Sequence, residues 1–176
     1  MNFESTEKID FYLPKVKQFI EEEVIPVEKK IHEQEKTGSD RWQPHEELEP
    51  LKEEARKRGL WNLFLPDSEL GAGLSNFEYA HLAEQMGRTT FASEAMNCSA
   101  PDTGNMEVLV RYGSKEQQDQ WLKPLLNGEI RSAFGMTEPG VASSDATNME
   151  ATAELVDGQW VINGEKRSEE HTSELQ

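Results

Sequence analysis

Apolar residues return every three or four positions through the first part of the chain. Ile9, Leu13, Val16, Ile20, Val24, Val27 and Ile31 fall on one stripe, the spacing of a long amphipathic helix. Pro14 and Pro26 interrupt it. Pro14 is expected to open the main helix after a short first piece, and Pro26 to kink it. A polar loop at Thr37, Gly38, Ser39 and Asp40 follows, and Pro44 suits the first turn of a second helix. Leu48, Leu51 and Ala55 face inward there; Arg56, Lys57 and Arg58 close the helix and Gly59 stops it, as the helix dipole and the C-cap favour. Residues 60–65 are a short apolar run closed by Pro66. Ser75 and Glu78 then form a capping box for a helix striped by Tyr79, Leu82, Ala83 and Met86 and ended by Gly87. Residues 91–99, rich in Ala and Met, read as a buried helix broken by Pro101. Asp102 is the expected N-cap of the next helix, through Met106, Leu109 and Val110 to Gly113. A second capping box, Ser114 with Gln117, opens a helix carrying Trp121, Leu122, Leu125 and Leu126 to Gly128, in which Pro124 predicts a kink or an early end.

The period then changes from helical to alternating. Residues 131–136 and 151–156 alternate, Asp157-Gly158 is a two-residue hairpin signal, and residues 159–162 read as the return strand before a turn at Asn163-Gly164. The pattern therefore predicts a mainly α N-terminal domain of five to six helices over residues 1–129, then the start of a β domain over residues 130–166. A few strands do not bury a core by themselves. Alone, such a chain is expected to expose an unfinished β edge and to aggregate or fold poorly.

Charge narrows the class of partner. The 176 residues carry a net charge of −16, which disfavours nucleic-acid backbones and anionic membrane surfaces. No apolar run approaches the ~20 residues that span a bilayer. The first ten residues resemble neither an apolar signal nor an Arg-rich transit peptide. A soluble, cytoplasmic protein is the expectation. Cys98 is the only cysteine; it reads as a small buried hydrophobe rather than a nucleophile. His81 has no second histidine or cysteine placed to share a metal, and Glu21, Glu22 and Glu23 point in different directions on a helix. Gly71 and Gly73 lack the third glycine of a dinucleotide fingerprint. No metal site is expected.

The one stretch with concentrated chemistry is residues 134–148, where Thr137, Ser143, Ser144 and Thr147 carry hydroxyls and Pro139-Gly140 forces a turn. A strand ending in such a turn offers N–H, C=O and O–H groups together, which suits a flat ligand with a polar edge. Such a composition is more often that of a plain surface loop.

Two motifs separate these readings. GMTEPGVASSD, beginning at Gly135, and VDGQWVINGEK, beginning at Val156, resemble the Thr/Ser-Glu-Pro signature and the second-domain hairpin of the acyl-CoA dehydrogenases. Residues 1–166 as a whole look like the N-terminal part of that family. The loop between Pro139 and Asp145 is one residue longer than usual, with Val-Ala-Ser-Ser in place of a Gly-Ser step, a form similar to the branch holding family members ten and eleven.

The resemblance implies an α-helical domain, a middle β-barrel and a C-terminal helical bundle, with FAD in the cleft between them. It implies α,β-dehydrogenation of an acyl-CoA thioester with hydride transfer to flavin N5, and an electron-transfer flavoprotein and a homo-oligomer for the full-length enzyme. Phe134, Met136 and Thr137 match positions that touch the flavin ring. Ser143 and Ser144 match the region that meets FAD, with Ser144 also matched to the thioester substrate. Glu138 and Asp145 read as loop-shaping. The family's carboxylate base belongs to the C-terminal domain, so no catalytic residue is expected in this chain, and alone it is expected to be inactive. Residues 167–176, RSEEHTSELQ, do not resemble the family; they match the in-frame translation of a common sequencing adapter and are read as a non-native tail. Residues 168–174 have no apolar side chain, so no strand is expected there. The competing reading is a non-enzymatic helical binding or scaffold module whose Thr-Glu-Pro loop is a plain turn.

Overall fold

The computed structural model describes residues 4–36, 45–142 and 145–168. α1 (Glu7–Phe19), a π-helical turn (Ile20–Val24) and α2 (Ile25–Lys36) run on as one rod. The Thr6 side chain caps it by accepting from the Ile9 N–H. Pro14 lies inside α1 rather than opening a helix. Ile9, Val16 and Phe19, buried on both sides of it, hold that backbone helical, so packing overrides the local break.

Pro26 is accommodated differently. The Ile25 N–H reaches back to the Ile20 carbonyl, a π-type bond that widens the turn ahead of the proline ring. The same device recurs in the last rod, α7 (Lys115–Gln117), a π-helical turn (Gln118–Leu122) and α8 (Lys123–Leu126). There the Lys123 N–H bonds the Gln118 carbonyl just ahead of Pro124, and of the kink or early end expected there the early end does not occur.

Between the rods stand α3 (Leu48–Lys57), α4 (Asn76–Met86), α5 (Ala92–Ala95) and α6 (Asp102–Tyr112). With each rod taken once, the described residues hold six helical units, within the predicted number. Both predicted capping boxes form. The loop at 37–40 and Pro44 lie outside the described residues. The helix expected over 91–99 shrinks to α5, because Asn97 takes a φ of 53° and turns the chain away.

α1 packs on α4, α3 on α5, and α6 on the last rod. Phe19, Ile20, Ile31, Leu63, Met96 and Met106 are fully buried between them. Residues 60–65 thread this core without regular structure. Asn62, at φ 56°, donates to the Leu126 carbonyl at 3.0 Å and accepts from Asn97 Nδ2 at 2.7 Å. Trp61 Nε1 donates to the same carbonyl at 2.7 Å. The open carbonyls at the end of α8 are thereby satisfied.

The β part is small. β2 (Thr152–Val156) and β3 (Gln159–Asn163) pair antiparallel from Thr152↔Asn163 to Val156↔Gln159. Asp157 and Gly158 make the tight turn with positive φ, 50° and 80°, as their pairing predicts. Every residue of both strands is exposed. β1 (Gly135–Thr137), shorter than the alternating run, pairs antiparallel with β4 (Arg167–Ser168). The stretch expected to contribute no strand thus supplies a paired residue, since main-chain hydrogen bonding does not require apolar side chains.

Candidate functional site

The chain reaches β1 along a path fixed by the helical domain. Asp102, at the first position of α6, is 3% exposed. Its carboxylate accepts from Arg131 Nε at 2.6 Å, from the Ser132 N–H at 2.7 Å and from the Ser132 hydroxyl at 2.6 Å. The expected N-cap role is therefore corrected: Pro101 holds the cap position with no side-chain bond, and the Asp102 carboxylate is committed to residues 131–132. A buried carboxylate needs such donors, and these supply charge as well. Arg131 also pairs with Glu94 at 2.9 Å, and Asn105 Nδ2 donates to the Ser132 hydroxyl at 2.9 Å. These residues, which aim β1, carry no motif in the sequence; an acid placed directly after a proline was the only local signal.

Just before β1, Phe134 is half-exposed, and on β1 Met136 and Thr137 are half-buried. The Thr137 hydroxyl makes no hydrogen bond among the described residues. β1 pairs with β4 on one edge, and no strand covers its other edge among the described residues. The Met136 carbonyl accepts from Lys166 Nζ at 3.2 Å. Ser143 and Ser144 lie outside the described residues.

Glu138 follows, 6% exposed. Its carboxylate accepts from the Glu150 N–H at 2.7 Å and the Ala151 N–H at 3.0 Å and pairs with Lys166 Nζ at 2.7 Å. Lys166, with the two N–H groups, holds the carboxyl well below the usual range, at about 2. At neutral pH it is ionised and accepts only, which makes it a tether rather than a proton donor. Asp145 caps the short 3-10 turn Ala146–Asn148, accepting from the Thr147 N–H at 3.0 Å and the Thr147 hydroxyl at 2.7 Å. Both acids shape the loop, as their positions suggested, and the Thr147 hydroxyl is committed to Asp145.

A groove of about 310 Å³ lies between residues 138–141, 150–152 and 163–165, and another of about 410 Å³ lies beside Arg56, Trp61 and Leu70. Neither is lined by Phe134, Met136 or Thr137, so the expected ligand face is an open strand edge. Its uncommitted hydroxyl and uncovered main-chain edge fit the polar rim of a flavin ring, where N–H and O–H donors are required.

The other candidates are structural. Burial pushes the Cys98 thiol up to about 11, and its Sγ donates to the Met96 carbonyl at 3.2 Å, so it is inert. His81 packs edge-on against Phe77 at 5.0 Å. Among the described residues no group of three or more His, Cys, Asp or Glu is placed to hold a metal, and no helix is long and apolar enough to cross a membrane.

Residues 6–129 match the family model for the acyl-CoA dehydrogenase N-terminal domain. The chain is 57% identical over 154 residues to acyl-CoA dehydrogenase family member 10 of Mus musculus, covering 85% of this chain and 14% of that protein. It is 49% identical over 167 residues to family member 11 of Homo sapiens, covering 93% of this chain and 21% of that protein. A Mycobacterium abscessus structure assigned as an acyl-CoA dehydrogenase superposes with a TM-score of 0.86 at 55% identity, over 93% of this chain and 42% of that one. A Bacillus anthracis acyl-CoA dehydrogenase complexed with FAD gives 0.59 at 29% identity, over 93% and 26%. The chain thus spans 14% to 21% of the length of these curated relatives.

Proposed function

This chain belongs to the acyl-CoA dehydrogenase family, and from that premise we propose that it is the N-terminal part of an FAD-dependent enzyme that dehydrogenates an acyl-CoA thioester across Cα and Cβ. The single observation that carries the reading is the half-buried Thr137 hydroxyl, uncommitted on an open strand edge inside the motif GMTEPGVASSD. FAD, when bound, supplies the hydride acceptor. Thr137 and the neighbouring Phe134 and Met136 hold the ring's polar rim, while Ser143 and Ser144 meet the cofactor, Ser144 also meeting the thioester. No carboxylate is assigned as the base, because Glu138 and Asp145 are both engaged in the loop. The base belongs to sequence beyond this chain, which alone is inactive. Electron-transfer flavoprotein as acceptor, homo-oligomerisation, a cytoplasmic location and a role in fatty acid metabolism belong to the longer enzyme.

Two further divisions are part of the proposal. The chain splits into a helical domain over 1–129 and the start of the β domain over 130–166, and residues 167–176 are translated adapter. Sequencing genomic DNA across the Lys166 codon tests the tail; a natural gene encoding RSEEHTSELQ sinks it.

Titration of FAD against the apo form of the longer enzyme that contains this chain, read by quenching of flavin fluorescence, tests the site. Saturable quenching is expected. Thr137→Val is expected to weaken it about 3- to 10-fold, the worth of one hydrogen bond. A helical scaffold module without cofactor, the competing reading, gives no saturable quenching and no effect of the substitution.

A further inference from the structure

Lys166 meets more of the proposed site than any role assigned above requires. Its Nζ lies 2.7 Å from Glu138 Oε1, 3.2 Å from the Met136 carbonyl and 3.4 Å from Met149 Sδ. Glu138 in turn accepts from the N–H groups of Glu150 and Ala151. β1, the loop after it, the residues leading into β2 and the chain leaving β3 therefore converge on one ion pair. The convergence is tight. Gly164 has a φ of 149°, and a Cβ built there would lie 2.5 Å from that of Ala151, so the two feet of the hairpin touch where only glycine fits.

The geometry points to Lys166 as a positioning residue for the flavin-facing strand, acting with Glu138 as a clamp at the foot of the β2–β3 hairpin. The inference rests on the proposed flavin-facing role of β1. Chemistry favours lysine here: an ammonium is a point charge with three donors, and it faces a carboxylate, a carbonyl and a thioether. By bonding the Met136 carbonyl it sets the peptide plane between Met136 and Thr137, and with it the direction of the Thr137 N–H. Glu138 is nearly buried, its side chain 7% exposed, whereas that of Lys166 is 33% exposed. Removing the lysine strands a buried carboxylate on two N–H groups, and removing the carboxylate leaves those N–H groups without an anion. Of the residues after Lys166, Arg167 and Ser168 pair with β1 itself.

The test compares the longer enzyme that contains this chain with its Lys166→Met, Lys166→Arg and Glu138→Gln variants at equal concentration, by amide exchange without FAD and by FAD titration. Lys166→Met is expected to speed exchange at residues 136–137 and 150–151 about tenfold while the core helices keep their protection. It is expected to weaken FAD binding about tenfold, the effect of losing a charged hydrogen bond. Glu138→Gln is expected to release residues 150–151. Lys166→Arg is expected to restore both readouts to within about threefold of wild type, since it keeps the charge and the donors. Unchanged exchange at residues 136–137 in Lys166→Met, or a Lys166→Arg variant no better than Lys166→Met, overturns the clamp. A wild-type longer enzyme that does not bind FAD overturns the proposed function instead, and the exchange comparison alone then upholds or overturns the clamp.

Discussion

Glu138 has a titration that follows from its partners. The Lys166 ammonium and the N–H groups of Glu150 and Ala151 hold its carboxyl at about 2. A depressed value means that the tether contributes stability above the ordinary carboxylate range and loses it as pH falls through that range towards about 2. Carboxyl NMR shifts are expected to place the Glu138 midpoint near 2 in the wild type and to raise it in Lys166→Met. A wild-type midpoint in the usual Glu range contradicts the clamp geometry. Between neutrality and the ordinary carboxylate range this group gives the hairpin no pH dependence.

At the scale of elements, the helices meet their prolines by changing the turn. Both π turns place an i to i−5 bond directly before Pro26 and Pro124, so the rods stay whole and bury Val24 and Leu122. The first π turn also spreads Glu21, Glu22 and Glu23. Glu21 pairs with Arg88, and Glu22 and Glu23 both reach Arg58, so each of the three consecutive acids finds a cation. Exposed pairs of this kind add little stability. Asn62 matters more, because it ties the apolar 60–65 segment to the end of α8. Asn62→Ala leaves a buried carbonyl with fewer donors and puts a Cβ residue without Asn's local bonding at positive φ. A loss of about 2–3 kcal/mol in urea unfolding is expected; a loss below about 0.5 kcal/mol shows the cap to be dispensable.

For the whole molecule, the imbalance between the two parts governs behaviour. The helical part buries a continuous core, while the hairpin exposes Trp160 and Ile162 on one face and Val161 on the other. Trp160 is 67% and Ile162 77% exposed, a degree of apolar exposure that drives association. Sedimentation at tens of micromolar, roughly where such surfaces associate, is expected to show self-association of the chain. The double substitution Trp160→Lys with Ile162→Lys is expected to reduce it without changing helical content. A monomeric wild-type chain sinks the prediction.

The local signals were sufficient where the cause is local. The 3.6-residue stripe, the boxes Ser75 with Glu78 and Ser114 with Gln117, and the Asp157-Gly158 turn each depend on residues a few positions apart, and each formed as read. The family motif was legible because it is contiguous. What only tertiary structure decided joins distant residues. Pro14 stays helical because the core holds it. Asp102 abandons its cap for Arg131 and Ser132, and Glu138 finds Lys166 across a hairpin. The sequence alone marked the stretch proposed to carry the chemistry. The fold determined how that stretch is held, because a buried charge selects its partner by distance in space, and no spacing along the chain encodes that.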